Sequence, residues 1–141
     1  MVIYFFTLSY FLNLFYSFFC KNKKIKNKNV LLLTAHPDDE IMFFYPTIKN
    51  LCNENNLYLL CLSNGNYDKL GNIREKELKK LCKQINFKGF EISFFEDNIH
   101  KFWNTKKIKE TVTQNIQNNE IDFIITFDNN GVSHHPNHIS C

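Results

Sequence analysis

Residues 30–40 read Val-Leu-Leu-Leu-Thr-Ala-His-Pro-Asp-Asp-Glu. The first five form a short continuous apolar run, the pattern of a strand covered on both faces. Pro37, with Asp38, Asp39 and Glu40 behind it, is a helix start, because proline fits the first helical turn and acids favour the positive end of the helix dipole. The helix is predicted to run to about Asn53, where Asn55-Asn56 break it. Further along, 57–62 (LYLLCL) is a second strand and Ser63-Asn64-Gly65-Asn66 a loop. In 71–85, Leu78, Leu81, Cys82 and Ile85 recur on one helical face, and Arg74, one turn earlier on that face, is expected to point towards the sheet. A third strand at 90–95, a helix at 105–117 and a fourth strand at 121–127 complete the series. This alternation predicts an α/β fold, a Rossmann-like, mostly parallel sheet wrapped by helices, with ligands bound beyond the carboxyl ends of the strands.

The chain has 141 residues and a formal charge of +3, so one domain is its ceiling. Residues 2–20 (VIYFFTLSYFLNLFYSFFC) carry no charge and are followed by Lys21, Lys23, Lys24, Lys26 and Lys28. Such a run is about a bilayer thick as a helix, and lysines on its C-terminal side predict that the remainder of the chain lies in the cytoplasm. The expected layout is therefore one transmembrane helix at 2–20, a Lys/Asn-rich juxtamembrane tail at 21–29 and a domain at 30–141. A cleaved signal peptide and a buried N-terminal helix are the alternatives. From residue 29 onward, twelve basic residues face fourteen acids, a net −2 that argues against a nucleic-acid surface. Five cysteines without a C-x-x-C pair fit buried reduced thiols rather than a disulfide frame or a zinc knuckle.

Two segments share a layout: His36-Pro37-Asp38-Asp39 and His135-Pro136-Asn137-His138, each following a predicted strand. Each places a histidine before a proline that opens a turn, and a second metal-ligating residue three positions after the first, facing the same way. If the first and fourth strands end at one edge, His36, Asp39 and His138 supply two nitrogens and an oxygen, the ligand set of a hydrolytic zinc with a position left open. Asp38 can then take a proton from water and pass it to a leaving amine, and His135 can donate to an oxyanion. Taken singly, these segments also read as a helix cap and a common His-x-x-His pair. His134, four residues before His138, competes with His135 for either role. His100 reads as a surface histidine and Trp103 as a core or membrane-facing residue. Asp68, Glu96, Asp97 and Glu120 read as solvated loop charges.

These motifs, together with Gly71-Asn72-Ile73-Arg74 and the run from Thr126-Phe127-Asp128 through Gly131-Val132-Ser133, resemble the PIG-L and LmbE-like zinc de-N-acetylases over about 30–140. The resemblance implies His36, Asp39 and His138 as ligands of Zn2+, with another divalent ion as the alternative. It also implies Asp38 as general base, His135 as the oxyanion-stabilising histidine and Arg74 as a substrate-binding residue suited to a phosphate. With the apolar N-terminus, it is most similar to the branch that deacetylates GlcNAc-phosphatidylinositol in the second step of GPI-anchor synthesis, on the cytoplasmic face of the endoplasmic reticulum membrane. Its partners would be that glycolipid and the membrane. His134 stands where the family usually has glycine. Family members also continue well past the second motif, so the C-terminal part of the domain is expected to be missing, and the stub after His138 is too short to hold it on a stable helix. The competing readings are a soluble deacetylase of another N-acetyl sugar and an inactive fragment that only binds a partner.

Overall fold

A computed structural model describes residues 25–141. Four strands, β1 (Asn29–Thr34), β2 (Asn56–Cys61), β3 (Gly89–Ile92) and β4 (Phe123–Ile125), form one sheet in the order β3-β2-β1-β4. Every pairing is parallel, with Thr34 opposite Cys61 and Leu32 opposite Ile125. The helices are α1 (Asp39–Met42), α2 (Tyr45–Leu51), α3 (Gly71–Ile85), α4 (Thr105–Asn119), α5 (Gly131–His134) and α6 (Pro136–Ser140). The chain steps from β1 to β2 to β3 in one direction and then returns to the far side of β1. With right-handed crossovers, α1–α3 therefore cover one face and α4 the other.

Central position explains the apolar runs. Val30, Leu31, Leu32 and Leu33 in β1, and Leu57 to Leu62 in and just beyond β2, are all buried. Burying each such side chain contributes roughly 1.5–3 kcal/mol. Phe44 from the turn between α1 and α2, and Ile48, Leu78 and Ile108 from the helices, pack into this core. Cys61 and Cys82 are buried free thiols, and burial pushes that of Cys82 up to about 12.

Some expectations need correction. The helix expected from Pro37 to Asn53 is two, α1 and α2, because Pro46 has no N–H to bond Met42 and its ring would meet that residue's carbonyl. The fourth strand ends at Ile125 rather than 127. There the Thr126 hydroxyl donates to the Leu33 carbonyl (3.0 Å) in place of a further ladder bond. The third strand's ladder ends at Ile92, although Phe95 N–H still reaches the Leu62 carbonyl (2.9 Å). The transmembrane helix expected at 2–20 lies outside the described residues, among which no helix is long and apolar enough to cross a membrane.

Candidate metal centre and active site

Strand order positions the site. The chain reverses its direction of travel between β1 and β4, so their carboxyl ends open into one crevice, the place where sheets of this kind bind ligands. His36 leaves β1 two residues after Thr34, and α5 and α6 bring the second histidine segment alongside.

In the first segment Asp38 has φ 108°, ψ −26°, a left-handed geometry that turns the chain sharply into α1. This turn separates the two aspartates. The Asp39 carboxylate folds inward, where Oδ2 accepts the N–H groups of Ala35 (3.0 Å) and His36 (2.8 Å). Asp38 faces outward with its side chain 54% exposed, and its Oδ2 meets Arg74 Nη2 at 3.1 Å.

In the second segment His135 caps α6: its Nδ1 accepts Asn137 N–H (3.1 Å), and Pro136 fills the first turn. His138 therefore sits buried on a five-residue helix, contrary to the expectation that the stub could not hold one. Phe127 stacks on its ring at 4.3 Å between centroids and 3° between planes. Gly131, at φ +60°, lets the chain pass close to His138, since a Cβ there would lie 2.8 Å from His138 Cβ. His134 is exposed at φ 58°, which explains why a glycine suits that position. It is His135 whose ring lies in the cluster, 4.8 Å from that of His36 and 5.0 Å from that of His138.

The structure brings His36, Asp39 and His138 together, all buried, with their donor atoms within 4.8 Å of one another. His36 Nδ1 is 3.2 Å from His138 Nε2, which is 3.3 Å from Asp39 Oδ1. The outer nitrogens fix the tautomers. His36 Nε2 faces two acceptors, Asp97 Oδ1 (3.0 Å) and Asn137 Oδ1 (3.2 Å), so it carries a proton. His138 Nδ1 faces the Gly131 carbonyl (3.1 Å) and likewise carries one. In the neutral rings the inner nitrogens are then lone pairs, pointed at each other and at a carboxylate oxygen. Three acceptors with no donor among them are satisfied by a cation between them or by a proton on one ring. Tetrahedral bonds of about 2.0–2.1 Å put neighbouring ligand atoms about 3.3 Å apart, so the donor set fits zinc.

The surrounding charges agree. Burial works against a charged His36, but its hydrogen bond to Asp97 and the charges of Asp39 and Asp97 outweigh it and raise its pKa. Asp97, pushed up by burial, is pulled below the usual carboxylate range by His36. Burial raises Asp38 against the opposing pull of Arg74, and pushes Glu40 up to about 7. His135 is held below its ordinary value by burial and by the neighbouring His36 and His138. With Nδ1 accepting a backbone N–H, its neutral ring presents Nε2–H as a donor.

Asp97 corrects the sequence reading. Its side chain is only 7% exposed and backs His36, whereas Asp68, Glu96 and Glu120 are exposed as expected. Asn137 is a second omission: fully buried, it donates to the Lys101 carbonyl (3.0 Å) and its Oδ1 accepts Asn98 N–H (3.1 Å). Trp103 is buried and its Nε1 donates to the Glu96 carbonyl (2.6 Å), bracing the loop that carries Asp97, and His100 is exposed. Arg74 is half-buried: Nη1 donates to the Gly65 carbonyl (3.0 Å) and Nη2 to the Pro37 carbonyl (2.6 Å).

The family model described as PIG-L, GlcNAc-PI de-N-acetylase, matches residues 31–141. A probable N-acetylglucosaminyl-phosphatidylinositol de-N-acetylase of Schizosaccharomyces pombe is 40% identical over 126 residues, covering 84% of this chain and 51% of the relative. The N-acetylglucosaminyl-phosphatidylinositol de-N-acetylase of Bos taurus is 41% identical over 116 residues, covering 78% and 46%. The chain spans about half the length of the curated relatives it matches. Among solved structures, the N,N'-diacetylchitobiose deacetylase of Pyrococcus horikoshii superposes with a TM-score of 0.69 at 21% identity, covering 80% of this chain and 46% of that one, a likeness of fold.

Proposed function

The chain belongs to the PIG-L family of GlcNAc-PI de-N-acetylases, and from that premise we propose that it hydrolyses the N-acetyl group of GlcNAc-phosphatidylinositol, the second step of GPI-anchor synthesis. Water and the amide become acetate and a free amine. The observation that carries this reading is the convergence of His36 Nδ1, Asp39 Oδ1 and His138 Nε2 on one point. These residues would hold Zn2+, which when bound supplies Lewis-acid polarisation of a carbonyl and eases deprotonation of water at neutral pH.

The chain's own residues supply the rest. Asp38, outside the ligand cluster and beside Arg74, takes the proton of the attacking water and returns it to the leaving nitrogen. His135, neutral with its proton on Nε2, donates to the oxygen on which negative charge develops. Arg74 brings a cation beside Asp38, suited to the phosphate of the glycolipid. The uncharged run 2–20 and the lysines after it support a single-pass anchor in the endoplasmic reticulum membrane, with the domain on the cytoplasmic face.

The test is acetate release by the full-length protein from GlcNAc-phosphatidylinositol in mixed micelles, before and after chelation and with zinc restored. Release that stops on chelation and returns with zinc is expected. Release from water-soluble N-acetyl sugars but not from the glycolipid would favour the soluble-deacetylase reading, and release from neither would overturn both. Protease added to sealed microsomes should digest the domain beyond Lys28, and protection would overturn the orientation.

A further inference from the structure

We infer that Glu40 is a positioning residue for Asp38: Glu40 and Arg74 grip opposite ends of the Pro37–Asp38 peptide group and so fix the plane from which the Asp38 side chain projects. The inference rests on the proposed role of Asp38 in proton transfer.

The geometry is specific to one peptide unit. Its carbonyl, that of Pro37, accepts Arg74 Nη2 at 2.6 Å. Its N–H, that of Asp38, is accepted by Glu40 Oε2 at 3.1 Å. One grip comes from a half-buried guanidinium that also touches the Asp38 carboxylate, the other from a carboxylate that is 1% exposed. An arginine on the carbonyl and a carboxylate on the N–H act together against rotation of the plane.

Two features say that this grip is needed. Asp38 holds φ 108°, which a non-glycine residue adopts only when its surroundings over-determine it, at about 1–3 kcal/mol. Glycine would relieve that strain but would remove the carboxylate, so the strain belongs with the side chain. Glu40 is itself unexplained by the metal cluster: among the described residues no cation lies within ion-pair distance of it, and it is not one of the three converging residues His36, Asp39 and His138. A buried carboxylate is retained at a solvation cost unless its acceptor has a use, and the acceptor contact it makes beyond its own residue is to Asp38 N–H.

The test uses Glu40→Gln and Glu40→Leu in the full-length protein, with metal content, KM, kcat and hydrogen exchange of the Asp38 amide measured for each. Gln keeps an oxygen where Asp38 N–H needs one, so kcat within about threefold of the parent and a protected amide are expected. Leu removes the acceptor. Its kcat should fall by about 10²-fold, the scale of a misplacement of about 1 Å, with metal stoichiometry and KM retained and the Asp38 amide exchanging faster. Unchanged kcat or unchanged amide protection in Glu40→Leu would overturn the inference, as would an equal kcat loss in Glu40→Gln or metal lost in step with activity. A parent protein without deacetylase activity would instead sink the proposed function, while the amide exchange would still report on the grip.

Discussion

His36 Nε2 lies 3.0 Å from Asp97 Oδ1, the contact that turns the other nitrogen of the ring, Nδ1, towards Asp39 and His138. A carboxylate behind a ligating imidazole fixes its tautomer and raises its basicity, and removing such a partner typically costs about 10–100-fold in metal affinity. Asp97→Ala should therefore weaken zinc by that factor without abolishing it. Competition against a chelator of known affinity measures the change. Affinity equal to the parent's would show that Asn137 alone, 3.2 Å from the same nitrogen, orients the ring.

His36→Ala, Asp39→Ala or His138→Ala should each remove both metal and turnover, since three protein ligands leave none to spare. Elemental analysis beside acetate release decides it. Stoichiometric zinc retained in any one of the three would exclude that residue from the ligand set.

The part of this arrangement legible in sequence was the part governed by local pattern. The runs at 30–34 and 57–62 marked buried strands because both faces of a parallel strand are covered. The two His-Pro segments marked turns at strand ends. Their meeting depended on β4 pairing with β1, a long-range choice that periodicity does not encode, although the rule that ligands bind where strand order reverses pointed to it. Pro46 is a breaker signal in its own right, and it divides a stretch whose length alone suggests one helix. Asp97 escaped because its loop neighbours are polar and its partner lies 61 positions earlier in the chain. His138 stands on a short helix because capping by His135, the proline at its start and the stack on Phe127 replace the length an isolated helix needs.

Gly131 combines a positive φ with a backbone packed against His138. In Gly131→Ala the new methyl would meet His138 Cβ and the Ile139 backbone, on top of strain worth about 1–3 kcal/mol. The melting temperature and the zinc affinity should both fall, because His138 Nδ1 depends on the Gly131 carbonyl. Gly65→Ala should destabilise too, since a Cβ there would overlap the Arg74 guanidinium, but should leave zinc affinity unchanged. Equal effects on zinc from both variants would contradict this division.

Glu40 makes stability depend on pH in a definite direction. Burial raises its carboxyl from 4.5 to about 7, so between those values the unfolded chain gives up a proton that the folded chain keeps. Folding stability in the metal-free protein is therefore lost as pH rises through this window, by about 3 kcal/mol in all. Glu40→Gln does not titrate. It should be more stable than the parent at pH 8 and the advantage should vanish below about pH 4.5. Chemical denaturation at a series of pH values tests this, and an advantage independent of pH would contradict it.

Asp38 and Asp39 are adjacent, and the turn at φ 108° sends them to different tasks. Asp39 is 2% exposed, with Oδ2 held by two backbone N–H groups and Oδ1 turned to His138. Asp39→Asn keeps that shape but halves the acceptor capacity where a cation must sit, so zinc affinity should fall first and turnover with it. Asp38 touches Arg74 and neither ligating histidine. Asp38→Asn should keep zinc at full stoichiometry while kcat drops by about 10² to 10⁴, the usual contribution of a general base. It should also remove the acid limb of the pH–rate profile that reports Asp38 deprotonation. Zinc content and rate measured on both Asn variants separate the roles: metal lost from Asp38→Asn and kept by Asp39→Asn would exchange them.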